Sequence, residues 1–235
     1  LGVSCKEVNI RQAVDIHFRD IGHDKSLLNG TYENAQARER TQILMDYASV
    51  VGGIVIGTGD QSELALGWCT YNGDHMSMYG VNASIPKTLI RWMIAAIADS
   101  EAFAPAKAVL EDILDTPISP VLLPPDESGK ISQYTEDLVG PYALHDFFLY
   151  YMLRFGFAPR KIFTLACRAF EGDFDRETVK KWLKAFYRRF FTQQFKRSCL
   201  PDGVKVGSVC LSPRGDWRMP SDAVGRIWLQ EVEQL

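Results

Sequence analysis

The sequence predicts an α/β fold: an open parallel sheet flanked by helices, followed by a helical C-terminal half. Three observations lead there. Val50 to Thr58 is a short, almost continuous apolar run set between a helical pattern and a glycine-containing turn, the composition of a strand buried on both faces of a parallel sheet. Strand-like and helix-like stretches alternate through the first part of the chain. From Tyr142 onward only helical periodicity remains, and that division marks an α/β domain with a helical end.

Val3 to Ile10 alternates as a strand does and runs into a short helix beginning at Arg11. Asn34 to Ala48 reads as an amphipathic helix with Ile43, Leu44, Tyr47 and Ala48 on one side. The Val50–Thr58 run follows, and a new helix is expected near Asp60. Ser84-Ile85-Pro86-Lys87 reads as a helix start, with Ser84 as N-cap and the proline in the first turn. Leu89, Ile90, Met93, Ile94 and Ile97 supply that helix with its apolar stripe. Thr116 to Ser128 is a proline-rich loop. Three helices are expected at Tyr142–Phe155, Pro159–Phe170 and Arg176–Phe195, then an irregular Gly/Pro/Ser-rich stretch, then a last helix from about Ser221 to Val232.

A chain of 235 residues can bury a sizeable core in one large domain, and its 46% hydrophobic and 23% charged composition is that of an ordinary globular protein. A net charge of −3 speaks against nucleic acid as the main partner. No apolar run reaches the roughly 18 residues of a membrane helix. The five cysteines, Cys5, Cys69, Cys167, Cys199 and Cys210, are odd in number and widely spaced, so a reducing, cytoplasmic setting is expected rather than a disulfide framework. The chain opens at Leu1 without an initiator methionine, which predicts an excised piece of a longer protein.

The sharpest chemical signal is Gly57-Thr58-Gly59-Asp60-Gln61-Ser62-Glu63, placed where the expected strand gives way to a helix. Ligands of open parallel sheets bind beyond the carboxyl ends of the strands. A hydroxyl, two glycines, two carboxylates and helix N-terminal amides at that edge suit a nucleotide with its metal ion. The same residues also spell a capping box, with Asp60 as N-cap and Glu63 reaching back. Both readings stand on local sequence. Lys196 and Arg197 have a similar pair of readings: ligand-binding cations, or caps on the long helix that precedes them.

Wider context adds to this. The run Gly57 to Trp68, continued by Thr70-Tyr71-Asn72-Gly73-Asp74, resembles the signature of glutamine-dependent NAD synthetases. Matching blocks follow in order: Tyr32 to Arg38, Asn82 to Leu89, Ile113 to Thr116, Val139 to Phe147, Gln194 to Ser198 and Leu211 to Arg218. The resemblance covers nearly all of residues 1–235 and implies the ammonia-using synthetase domain, of the adenine nucleotide alpha hydrolase-like fold. It implies an ATP-dependent amidation of deamido-NAD to NAD through an adenylate, with Mg²⁺ and with ammonia from a glutaminase domain not in this chain. By the same resemblance Thr58 and Lys87 face ATP; Asn34, Glu63, Trp68, Cys69, Thr70, Tyr71 and Lys196 hold deamido-NAD; Glu63 also meets the metal; and Asp74 and Asp216 flank the amidation centre. Assembly as a homodimer or larger is implied as well. The Gly-rich tail from Leu200 to Met219, flanked by Lys196 and holding Asp216, is a candidate lid.

One family motif is missing: no Ser-Gly-Gly-x-Asp-Ser phosphate loop occurs, and Gly52-Gly53 has no Asp-Ser after it. The chain alone is therefore expected to be inactive. Alternatives are another adenylating enzyme of the same fold, such as a GMP synthetase relative, or a nucleotide-binding scaffold without catalysis.

Overall fold

A computed structural model describes residues 2–119 and 135–235. Residues 120–128 of the proline-rich loop lie outside the described residues. The sheet is parallel, as expected, but small: β1 (Ile56–Gly57), β2 (Tyr79–Gly80) and β3 (Asp202–Gly203) lie in that order. Ile56 aligns with Tyr79 and Gly57 with Gly80; Tyr79 aligns with Asp202 and Gly80 with Gly203.

The chain begins with a helical hairpin. Helix α1 (Arg11–Ile21) stops at Gly22, whose φ of 68° lets its amide and the next turn back onto the helix carbonyls. Helix α2 (Gly30–Val51) starts at Asn29, whose side chain accepts from the amides of Thr31 and Tyr32. Val14, Phe18 and Ala35 make a small core of their own between the two helices.

Two strand expectations are corrected here. Residues 3–10 carry no regular structure, because no neighbouring strand pairs with them among the described residues. The Val50–Thr58 run is not a doubly buried strand: α2 continues to Val51, and only Ile56 and Gly57 pair. Ile54 is 64% and Ile56 48% exposed, and β1 is an edge strand with β2 on one side only. Ile43–Ala48 likewise leaves Leu44 and Tyr47 largely exposed.

Helix α3 (Gln61–Leu66) follows β1 directly. Helix α4 (Lys87–Ala98) leads through a 3-10 turn at Glu101–Ala106 into α5 (Lys107–Asp115). Ser84 is not the N-cap of α4: Pro86 holds that place, and the Ser84 hydroxyl instead donates to Val204 O and accepts from Val206 N. The α4 amides are capped from elsewhere in the chain. Lys87 N donates to Ser62 Oγ at 2.8 Å, and Thr88 N to Asp146 Oδ2 at 3.1 Å.

The helical half holds most of the core. After α6 (Thr135–Val139) come α7 (Tyr142–Phe155), α8 (Pro159–Ala169), α9 (Arg176–Thr192), the short α10 (Gln194–Arg197) and α11 (Arg226–Glu233). Leu144, Phe148, Ile162, Ala166, Leu183, Phe186, Tyr187 and Phe190 are fully buried where α7, α8 and α9 meet. The aromatic residues of α7 and α9 thus serve packing, as Phe148 and Phe186, with ring centroids 5.8 Å apart, show. Helix α3 rests on α7 and α9, so the β1–α3 corner is carried by this core.

Candidate functional site

The corner after β1 is where the sequence places its chemistry. Gly57 has no room for a side chain, because a Cβ there would run into Ser77 on the loop before β2. Thr58 and Gly59 turn the chain at the carboxyl edge of the sheet, and Asp60 caps α3. The capping box is present: Asp60 Oδ1 accepts from Glu63 N at 2.9 Å, and Glu63 Oε2 accepts from Asp60 N at 3.3 Å. The other oxygens go to a cation. Lys87 Nζ, from the first turn of α4, lies 2.6 Å from Asp60 Oδ2 and 3.0 Å from Glu63 Oε1. Capping box and charged cluster are therefore one structure.

This closure changes one expectation. Two of the first amides of α3 are already engaged and not open to a phosphate: Gln61 N donates to Ile85 O and Glu63 N to Asp60. The positive group at this end is the Lys87 ammonium, paired with both carboxylates. Burial alone would lower its pKa, but Glu63 and Asp60 outweigh that and raise it. Burial, reinforced by the Asp60 carboxylate, pushes Glu63 up to about 7 against the pull of Lys87.

The opposite end of α3 is held by cations. Gly67 ends the helix at φ 57°, and a Cβ there would collide with Gln193. The carbonyls left over at a helix C-terminus need donors. Arg197, fully buried, donates to Leu64 O and Ala65 O; Arg189 donates to Leu66 O at 3.0 Å. Lys196 Nζ donates to Gly67 O at 2.9 Å and Cys69 O at 2.6 Å. Lys196 thus caps α3, from 127 residues away, and not α9, although Arg197 also bonds Phe190 O of α9. Burial lowers the Lys196 pKa and pushes the Cys69 thiol up to about 12.

Between α3, the start of α2 and α9 lies a cavity of about 330 Å³. It brings together Asn34, Thr58, Glu63, Trp68, Cys69, Thr70, Asp74 and Lys196. Thr70 ties two of them: its hydroxyl donates to Asn34 Oδ1 at 2.7 Å, and its amide to Asp74 Oδ1 at 2.6 Å. Three expected residues stand outside the lining. Lys87 sits behind Glu63, and borders a second cavity of about 470 Å³ with Arg91, Glu136 and Tyr142. Tyr71 packs on Phe195 with ring centroids 5.3 Å apart. Asp216 pairs with Lys205 at 2.6 Å, which holds its carboxyl below the usual range. The Leu200–Met219 tail is pinned rather than loose: β3 pairs with β2, Gln61 donates to Val209 O, and Gln194 to Met219 O.

Sequence reasoning gave no role to Arg189, Glu33 or Arg40, which also line the first cavity. It also passed over Asp146, which takes a hydrogen bond from the Ser62 hydroxyl and binds both the amide and the hydroxyl of Thr88. Local sequence carries no signal for a contact made between residues 58 apart. Among the described residues no three His, Cys, Asp or Glu side chains gather as a metal site. Glu63 offers one carboxylate at the cavity wall, enough for an ion held mainly by water and phosphate but not for an all-protein cage.

With the geometry in place, comparison with known proteins is direct. The family model described as NAD synthase matches residues 1–127, more than half of the chain. The chain is 44% identical to a glutamine-dependent NAD(+) synthetase of Mycobacterium leprae and 43% identical to that of Mycobacterium tuberculosis. Each match takes in all of this chain and 38% of the relative, so the chain spans well under half the length of these proteins. The crystal structure of a glutamine-dependent NAD(+) synthetase from Cytophaga hutchinsonii superposes on 96% of the chain and 34% of that protein, with a TM-score of 0.71 at 21% identity, which shows the shared fold. The chain belongs to the NAD synthase family.

Proposed function

We propose that residues 1–235 form the deamido-NAD and ammonia side of a synthetase domain that amidates deamido-NAD to NAD at the expense of ATP, a carbon–nitrogen ligase reaction. The supporting observation is the first cavity, which joins eight expected residues from α2, the β1–α3 corner, the loop after α3 and α10 around one space. Adenylation of the substrate carboxylate would come first, releasing pyrophosphate, and ammonia would then displace AMP.

The chain's own groups divide that work. Thr58 and the Lys87 ammonium lie at the carboxyl edge of the sheet, where nucleotide phosphates are expected, and Lys87 supplies positive charge for them. Mg²⁺, when bound with ATP, would neutralise phosphate charge, and Glu63 is the residue of this chain that would meet it. Asn34, Trp68, Cys69, Thr70 and Lys196 wall the deamido-NAD side, with Tyr71 behind Phe195. Asp74 keeps one carboxylate oxygen on Thr70 N, leaving the other to hold ammonium and take its proton. Asp216 joins it only if the ion pair with Lys205 opens. Ammonia would arrive from a glutaminase domain of the longer protein, and a homodimer or larger assembly is the expected setting.

Calorimetric titration with deamido-NAD and with ATP tests this reading. Deamido-NAD should bind, Lys196→Ala should abolish binding, and the chain by itself should form no NAD. Binding of ATP alone would favour a different adenylating enzyme, and binding of neither would leave only a scaffold.

A further inference from the structure

The first cavity contains a charged side chain that the proposed function leaves unused. Arg189, near the end of α9, reaches the wall beside Trp68. Its Nε donates to Leu66 O at 3.0 Å, and its guanidinium lies over the Trp68 ring, 5.2 Å from the centroid. One contact fixes the edge of the guanidinium and the other its plane.

What the group lacks is a counter-charge. Glu33, Glu63 and Asp74 all line the same cavity, yet none of the ion pairs among the described residues involves Arg189. Glu63 is engaged by Lys87 and by Asp60 N, and Asp74 by Thr70 N. Burial, with the neighbouring Arg188, lowers the Arg189 pKa, as befits a cation withdrawn from water without an anion beside it. Its Nη edge is free, rigid and half-buried, the form of guanidinium that recognises a planar oxyanion through two parallel hydrogen bonds.

Position narrows the anion. Arg189 stands at the C-terminal end of α3, whereas Thr58, Gly59 and Lys87 stand at its N-terminal end. Trp68 is the aromatic side chain of this wall among the described residues, so a flat ring lies most favourably beside it. We infer that Arg189 determines specificity for the acid form of the substrate, its Nη edge gripping the pyridine carboxylate of deamido-NAD, an inference that rests on the function proposed above. The carboxamide of NAD turns an NH2 donor toward the same donors and leaves part of the edge unpaired, so the product is held less well.

The two dinucleotides share every group except carboxylate against carboxamide, so the ratio of their dissociation constants isolates this contact. In calorimetry the chain should bind deamido-NAD at least about tenfold more tightly than NAD, one charge-assisted pair being worth that much. Arg189→Ala should bring the ratio close to one chiefly by weakening deamido-NAD, and Arg189→Lys should restore part of it. Loss of the bond to Leu66 perturbs the wall for both ligands alike, so a merely structural role leaves the ratio unchanged. An equal loss for both ligands would place Arg189 on their common pyrophosphate or on the wall itself and overturn the inference. Equal affinity of the unaltered chain for both would overturn it too, with the proposed function intact. Binding of neither overturns both.

Discussion

Residues 135–235 and residues 2–119 obey different rules of burial. In the first of these regions α7, α8 and α9 enclose Phe148, Ile162, Leu183, Phe186 and Phe190 with no measurable exposure. In the second, large apolar side chains face outward: Val50 is 78% exposed, Trp92 75% and Ile54 64%. The helical half supplies partners for the stripes where α7, α8 and α9 meet, although Val224 and Ile227 near α11 stay 74% and 73% exposed. The sheet half carries stripes of the same strength whose partners are not among the described residues, and single apolar residues scattered on a surface would not account for so many. The difference teaches that the candidate site is borne by the helical half, on which α3 rests, while the β1 edge contributes position with little burial.

Substitutions should show the same asymmetry, most strongly in the core. Phe186→Ala should lower unfolding free energy by about 3–5 kcal/mol, whereas Trp92→Ser should stay within about 0.5 kcal/mol. Urea titrations of both variants check this, and a Trp92→Ser cost above about 2 kcal/mol would mean that its face is covered in solution. A middle-sized effect is expected where the halves join. Asp146 on α7 caps α4 through Thr88 and takes the Ser62 hydroxyl, and burial raises its pKa despite those bonds. Asp146→Asn should cost about 1–2 kcal/mol by removing one charged acceptor. An unchanged denaturation midpoint would show that the two halves are not coupled there.

The smallest effect is a difference in pH dependence. Glu63 in the sheet half is pushed up from 4.5 to about 7, so the folded chain keeps a proton that the unfolded chain releases, and stability is lost as pH rises between those values. His145 in the helical half is pulled by burial from 6.5 to about 4, so the unfolded chain binds the extra proton and stability rises with pH across that window. The two slopes oppose, each no steeper than about 1.4 kcal/mol per pH unit. Glu63→Gln should remove the falling one, so that the variant gains on the unaltered chain as pH rises from 4.5 to 7. Parallel stability curves for the two proteins would contradict the raised Glu63.

The same asymmetry explains what could be read from sequence. The Tyr142–Phe155 helix has the expected bounds, and α8 and α9 begin where expected, because amphipathic stripes that find partners in the same chain behave as periodicity says. The Val50–Thr58 run did not become a long strand, since composition cannot tell which neighbours will be there to cover it. Of the candidate residues, local sequence singles out only the Gly57–Glu63 turn; Trp68 to Asp74, Asn34 and Lys196 come from the resemblance, and the cavity brings most of them together. Ser62 and Asp146 as caps of α4, and Arg189 and Lys196 as caps of α3, were not legible, since each joins residues between 25 and 129 positions apart.

Those long spans have a consequence in time. The carbonyls that end α3 wait for donors from residues 189–197, and Leu66 is separated from Arg189 by 123 positions and Ala65 from Arg197 by 132. Closing such loops comes late in folding, after local helices have formed. As the chain leaves the ribosome, the segment with most of the candidate residues emerges before α9 and α10 and stays unfinished until they follow. A nascent chain halted before residue 189 would have the site's sequence without its walls.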